Sequence, residues 1–285
     1  MPPSPRLHSP RRRPCSRDQW PLCRQFPWTY AGQMMAVGII ALLTGRKRLP
    51  CIALAAVAMA ANVSLAAEPL RVFLPSADTP NPAVLLVPGC SGFVARNGIN
   101  HYEERARELQ AAGYVAVFVD YLGPRQLTDC GGGRNVSQPE VAADILAAAR
   151  WIKQQPYVAA DKIFAIGWSY GGGGVLAALT AMPPGEPLLT RAVTYYPDCR
   201  GAMPWSATGV TTLMLMGALD AVAIPALCER VIKGVSPNIL RSVLYPNARH
   251  GFDMRSLPER GEFGRIGYNA DAAKTSWTAV LEFLR

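Results

Sequence analysis

Acyl transfer by a serine needs a base to take its proton and a carboxylate to orient that base. The sequence contains only three histidines to serve as the base. His8 lies in a basic N-terminal stretch. His101 opens a segment of helical periodicity that we expect to lie on the surface, in contact with solvent. His250 sits in Tyr245-Pro246-Asn247-Ala248-Arg249-His250-Gly251-Phe252-Asp253, a loop that follows the last apolar strand. Ligand chemistry in open α/β sheets collects beyond the carboxyl ends of the strands, so His250 is the candidate base. The candidate nucleophile is Ser169, within Gly167-Trp168-Ser169-Tyr170-Gly171. Gly-x-Ser-x-Gly arises by chance in roughly one chain in ten of this length, so its context must carry the inference. Here a short apolar run, residues 161–166, precedes the motif, and Val175 to Leu179 follows three glycines. That is a strand, a tight turn and a helix. The turn crowds the neighbouring strand and needs glycine, and the helix N-terminus offers free N–H groups beside the hydroxyl.

The acid should fall between serine and histidine. Asp198, Glu186, Asp220 and Glu229 are the candidates. Asp220 follows Thr211 to Gly217, one strand before His250, and is preferred; Asp198, after the preceding strand, is its rival. An oxyanion site needs two N–H donors about 3 Å from the developing charge. One is expected from Tyr170, the residue after the nucleophile. The other is expected from Cys90, in the glycine-rich loop Val87-Pro88-Gly89-Cys90-Ser91-Gly92. Cys90 itself is a poor candidate nucleophile, because no helix start follows it to lower its pKa.

These residues require a particular set of elements to position them. Leu70–Leu74, Ala83–Val87, 114–119, 162–166, Ala192–Tyr196, Thr211–Met216 and Leu240–Tyr245 read as strands. Tyr102–Ala112, Gln138–Gln154, 173–182, 223–233 and Ala270–Leu284 read as helices. Apolar strands alternating with amphipathic helices predict a single α/β domain, 67–285, with a mostly parallel sheet covered on both faces. Loops 121–136 and 197–209 are expected to rim the pocket. Arg125, Trp168, Trp205 and Phe252, with Tyr170, are expected to contact substrate, and Arg200 also lies in a suitable loop.

Residues 1–66 read differently. Nine of the 29 Lys/Arg but only one of the 20 acids fall before residue 68, which leaves 20 basic against 19 acidic groups in the remainder. Of the net charge of +9, +8 therefore belongs to the leader and +1 to the domain, which offers no face for nucleic acid. Gly45-Arg46-Lys47-Arg48, the apolar run Leu49–Val63 and Ser64-Leu65-Ala66 form a secretory signal, predicting an exported, periplasmic or secreted protein without stable membrane insertion. Of seven cysteines, Cys90, Cys130, Cys199 and Cys228 lie beyond that signal, and the sequence leaves two states open: a Cys130–Cys199 bridge across the active-site end, or four free or buried thiols. No Cys/His spacing suggests a metal, and no cofactor is implied.

With these residues placed, the chain resembles the dienelactone hydrolase family of α/β-hydrolases over essentially all of residues 70–285. The resemblance rests on Gly89-Cys90-Ser91-Gly92, Gly113-Tyr114-Val115, Asp120 to Arg125, the elbow Gly167 to Gly172, Gly217-Ala218-Leu219-Asp220, and Tyr245 to Asp253. It implies an α/β-hydrolase fold, a triad of Ser169, Asp220 and His250, and backbone donors at Cys90 and Tyr170. Two positions depart from the family pattern. Ser169 stands where the namesake enzymes carry cysteine, and Pro88 where a histidine often precedes the loop glycine. The expected activity is therefore that of a serine esterase acting on a small-molecule ester or lactone. The alternatives are a serine peptidase on the same fold and a ligand-binding homologue without turnover.

Overall fold

The computed structural model describes residues 70–76, 79–131, 135–205, 208–259 and 264–285. The leader and export signal read from residues 1–66 lie outside them. Seven strands form one sheet in the order β1-β3-β2-β4-β5-β6-β7. They are β1 (Val72–Phe73), β2 (Asn81–Val87), β3 (Val115–Phe118), β4 (Val158–Trp168), β5 (Arg191–Tyr195), β6 (Thr211–Gly217) and β7 (Leu240–Tyr245). All pairings are parallel except that of the short edge strand β1 with β3. The central strands are buried almost throughout, as expected where helices cover both faces.

Alternation along the strands divides the core in two. Leu85, Val87 and Ala165 face α2 (Gln138–Lys153), α3 (Ser169–Ala181) and α4 (Glu229–Gly234). Val84, Leu86, Ile166, Trp168 and Tyr195 face α1 (His101–Ala111) and α5 (Ala270–Leu284). Helix α2 starts at a capping box, in which Ser137 caps the Glu140 N–H while the Glu140 carboxylate reaches back to the Ser137 N–H.

Three elements differ from the sequence reading. Helix α3 begins at Ser169 rather than at residue 173, so the glycine run is helical. The expected helix 223–233 is a single 3₁₀ turn, Pro225–Cys228, followed by the six residues of α4. The cysteines pair as Cys90–Cys130 and Cys199–Cys228, not as Cys130–Cys199. Strand order gives the reason. Cys130 follows β3 and Cys199 follows β5, three strand positions apart in the sheet. At about 4.8 Å per position that is roughly 14 Å, about twice the reach of a disulfide. Each observed bridge instead joins loops that leave neighbouring strands.

Candidate active site

The loops after β2, β4, β6 and β7 leave the same edge of the sheet, and each brings one part of the site. Ser169 directly follows Trp168, the last residue of β4, and opens α3 with φ 51°, in the left-handed region. A non-glycine residue is held there only by close packing around it. The packing is visible at the flanking glycines. A methyl on Gly171 would lie 2.2 Å from the Pro88 carbonyl oxygen, and one on Gly167 would lie 2.6 Å from that of Gly171.

His250 brings the elbow and the acid together. Its Nε2 lies 2.9 Å from Ser169 Oγ, and its Nδ1 lies 2.7 Å from Asp220 Oδ2. The Asp220 side chain is fully buried, and its Oδ1 accepts the N–H groups of Val222 and Ala223, both at 2.8 Å. The carboxylate is thereby aimed at the imidazole. Asp198, the rival acid, is turned away and forms a paired contact with Arg200. Its backbone N–H donates to the Ser169 carbonyl at 3.0 Å.

The loop after β2 is fastened from both sides. The Gly89 N–H donates to Tyr102 Oη at 2.8 Å, and Tyr121 Oη donates to the Gly89 carbonyl at 2.8 Å. Gly89 itself is close to the nucleophile, since a methyl on it would lie 3.5 Å from Ser169 Cβ. With the Gly89 N–H occupied, the next donor along this loop is Cys90. Tyr170 is the second residue of α3, and the first N–H groups of a helix have no intrahelical acceptor.

A cavity of about 220 Å³ opens over these groups, lined by Cys90, Ser169 and His250. Its apolar wall is Val94, Val222, Met254, Leu257 and Ile266, with Arg96 at one side. The expected substrate contacts are therefore wrong in detail. Trp168 and Phe252 are wholly buried on the α1/α5 face, where the Trp168 ring stacks on Tyr195. Trp205 is buried in the core on the other face. Arg125 pairs with Asp144 of α2. Tyr170 directs its hydroxyl to the Val136 carbonyl. The pocket is rimmed by residues 91–96, 222 and 251–257 rather than by loops 121–136 and 197–209.

Sequence reasoning also missed a buried polar cluster beneath the pocket. His101 is 3% exposed rather than solvated, because the face of α1 carrying His101, Tyr102, Arg105, Ala106 and Leu109 turns inward. Its Nε2 lies 3.2 Å from Asp253 Oδ2, an ion-pair contact rather than an aligned hydrogen bond. The same carboxylate accepts from Trp168 Nε1 at 2.9 Å and from Tyr196 Oη at 2.6 Å. Burial pushes the Asp253 pKa up. The His101 charge and contact, the Tyr196 hydroxyl and the Arg105 charge outweigh that and bring it down to about 2. The Tyr196 ring, in turn, packs 4.6 Å from that of His250. One signal was available, a carboxylate three residues after the base and directly after Phe252.

The sequence profile of the dienelactone hydrolase family matches residues 70–285. The chain belongs to that family. Family members are hydrolases of carboxylic esters and lactones, and the chain is a carboxylic-ester hydrolase. A Bradyrhizobium sp. protein described as "Probable 2-oxo-3-(5-oxofuran-2-ylidene)propanoate lactonase" is 31% identical over 226 residues, covering 72% of this chain and 83% of that protein. Two solved structures share the fold. A dienelactone hydrolase-like promiscuous phosphotriesterase from metagenomic libraries is 24% identical, with a TM-score of 0.55 over 73% of this chain and 87% of its own. Dienelactone hydrolase from Anabaena variabilis is 20% identical, with a TM-score of 0.53 over 74% and 88% of the two chains.

Proposed function

We propose that the protein cleaves a small carboxylic ester or lactone by a Ser169–His250–Asp220 triad through an acyl-enzyme. The observation that carries this is the continuous chain of contacts from Asp220 through His250 to Ser169, at 2.7 and 2.9 Å. An ionised carboxylate only accepts hydrogen bonds, so Nδ1–H of His250 donates to Asp220 and Nε2 is free to accept the serine proton. Ser169 Oγ attacks the carbonyl carbon as His250 takes its proton. The oxygen charge that develops is met by the Cys90 and Tyr170 N–H groups. Collapse expels the alkoxide, which receives the proton from His250. Water then repeats the sequence on the acyl-enzyme and releases the acid. In a lactone both products remain one molecule.

Substrate size follows from the small cavity, and its chemistry from the lining. An apolar wall suits a short acyl or ring carbon skeleton, and Arg96 suits an anionic substituent. The Bradyrhizobium relative, described as a propanoate lactonase, favours a lactone bearing a carboxylate among such esters. The leader read in the sequence accords with export, and two disulfides are the state expected of a chain that folds in an oxidising compartment.

A fluorophosphonate probe tests the mechanism. It should label the folded protein at Ser169 and leave Ser169→Ala unlabelled, with hydrolysis of p-nitrophenyl acetate lost in parallel. Folded protein that takes no label and hydrolyses no ester would refute the triad.

A further inference from the structure

Cys90 occupies two structural roles. Its N–H is the proposed oxyanion donor, and its sulfur is bonded to Cys130 in the loop after β3. A peptide unit is planar, so the direction of the Cys90 N–H is set by the Gly89 carbonyl on the other side of the same plane. That carbonyl is held by Tyr121 Oη at 2.8 Å and by the Gly92 N–H at 3.0 Å. On its far side Cys90 is held by Cys130 twice, through the disulfide and through the Cys130 N–H to the Cys90 carbonyl at 2.9 Å. The loop after β3 therefore braces the donor.

The two disulfides differ in access. Cys199 and Cys228 are buried, at 6% and 1% exposure, whereas Cys90 and Cys130 are both partly exposed and Cys90 lines the cavity. A thiolate must reach a sulfur in line with the S–S bond to open it. Of the two bridges among the described residues, Cys90–Cys130 is the one partly open to that approach in the folded protein.

We propose that the Cys90–Cys130 disulfide is a positioning element of the oxyanion site, and that selective reduction of this bridge lowers turnover while the fold persists. The inference rests on the triad mechanism and on Cys90 as its backbone donor. The switching reaction is a two-electron exchange with a dithiol. The dithiol is oxidised to its cyclic disulfide, the S–S bond breaks, and Cys90 and Cys130 each leave as a thiol carrying one of the two protons. Removing a donor outright costs about 10²–10³ in kcat. Here the donor is loosened while Tyr121 and the Cys130 N–H still hold it, so we expect about a tenfold loss.

The test uses the full chain under native conditions. Dithiothreitol is titrated in, and kcat and KM for p-nitrophenyl acetate are read before thiols are trapped with iodoacetamide and located by mass spectrometry. An arylboronic acid, whose tetrahedral adduct with the serine places an oxygen in the oxyanion site, reports that site directly. The expected result is labelling at Cys90 and Cys130 first, with kcat down about tenfold and KM within twofold. Boronate affinity should fall in step, the far-ultraviolet circular dichroism should be unchanged, and reoxidation should restore activity. Cys130→Ser should reproduce this signature without reductant. Reduced Cys90 and Cys130 with kcat unchanged within twofold would overturn the proposal. So would a loss of kcat with boronate affinity retained, or a loss that appears only as Cys199–Cys228 opens and the fold is lost. An oxidised enzyme that hydrolyses no ester, and is indistinguishable from Ser169→Ala, would instead overturn the mechanism beneath it.

Discussion

Replacing Asp253 by Asn changes one atom type at the centre of the buried cluster and should change the acid stability of the whole domain. The native carboxyl titrates at about 2 against 3.8 for an ordinary aspartate, despite complete burial. At about 1.4 kcal/mol per pH unit this contributes ~2 kcal/mol to stability. The sign follows from proton counting. Between about pH 4 and pH 2 the unfolded chain holds a proton on this group and the folded chain does not. Stability therefore rises with pH across that window, is complete above it, and is lost as pH falls through it. Asn removes this contribution. It also presents an N–H₂ group to a site where Trp168 and Tyr196 already donate and His101 Nε2 lies 3.2 Å away. One donor left unpaired adds about 1–3 kcal/mol. Asp253→Asn should thus lose about 3–5 kcal/mol at pH 7, and the deficit should shrink by about 2 kcal/mol near pH 2 as the wild type loses its own advantage. Urea denaturation followed by tryptophan fluorescence at pH 7, 5, 3 and 2 measures both quantities. A deficit that is the same at pH 2 and pH 7 would show that the ionised carboxylate is not the source. A loss below about 0.5 kcal/mol at pH 7 is the scale of an ordinary surface change, and would show that the cluster contributes little.

Three other perturbations bear on the site. Gly171→Ala drives a methyl to 2.2 and 2.5 Å from the Pro88 and Val87 carbonyl oxygens, both backbone; we expect a loss of about 3 kcal/mol in thermal or chemical unfolding, with the esterase rate lowered in the protein that folds. Asp220→Asn should lower kcat by about 10⁴, because the amide no longer fixes the His250 tautomer, whereas Asp198→Asn should stay within about tenfold of wild type; steady-state rates in the reverse order would move the acid to Asp198. Arg96→Ala should raise KM about fivefold for an ester or lactone carrying a carboxylate and leave a neutral ester within twofold, the scale of one partly solvated charge contact; equal effects on both substrates would remove Arg96 from recognition.

The parts of this site that were legible in the sequence are those where residue type is scarce and chain order is informative. One histidine outside the leader lay in a strand-end loop. Asp220 stood one strand ahead of it, and the elbow's glycines announced a turn that admits no side chain. The α/β alternation likewise followed from periodicity, with β1 alone departing from parallel pairing. What was not legible depended on which strands are neighbours and which face a side chain takes. Trp168 adjoins the nucleophile in sequence yet points to the opposite face, onto Tyr195. The cysteine pairing required the strand order, which no local pattern encodes. His101 was misplaced because its helix buries a face containing a histidine and an arginine, which hydrophobic periodicity assigns to solvent.

The glycines of α3 have an energetic consequence of their own. Gly171 to Gly174 lie in its first turns, and each costs roughly 1 kcal/mol of helix propensity relative to alanine. A side chain would clash with Pro88 and Val87 at Gly171, with Asp198 and Gln138 at Gly173 and with Val141 at Gly174, and would be tight against Pro197 at Gly172. Such a helix has little tendency to form alone and exists because strand ends and α2 close around it. Its hydrogen-bonded amide protons, as distinct from the unpaired N–H groups at its start, should therefore exchange with solvent only through whole-domain opening. Turnover and global stability should then fall together in denaturant, with no populated form that keeps the fold but has lost the elbow.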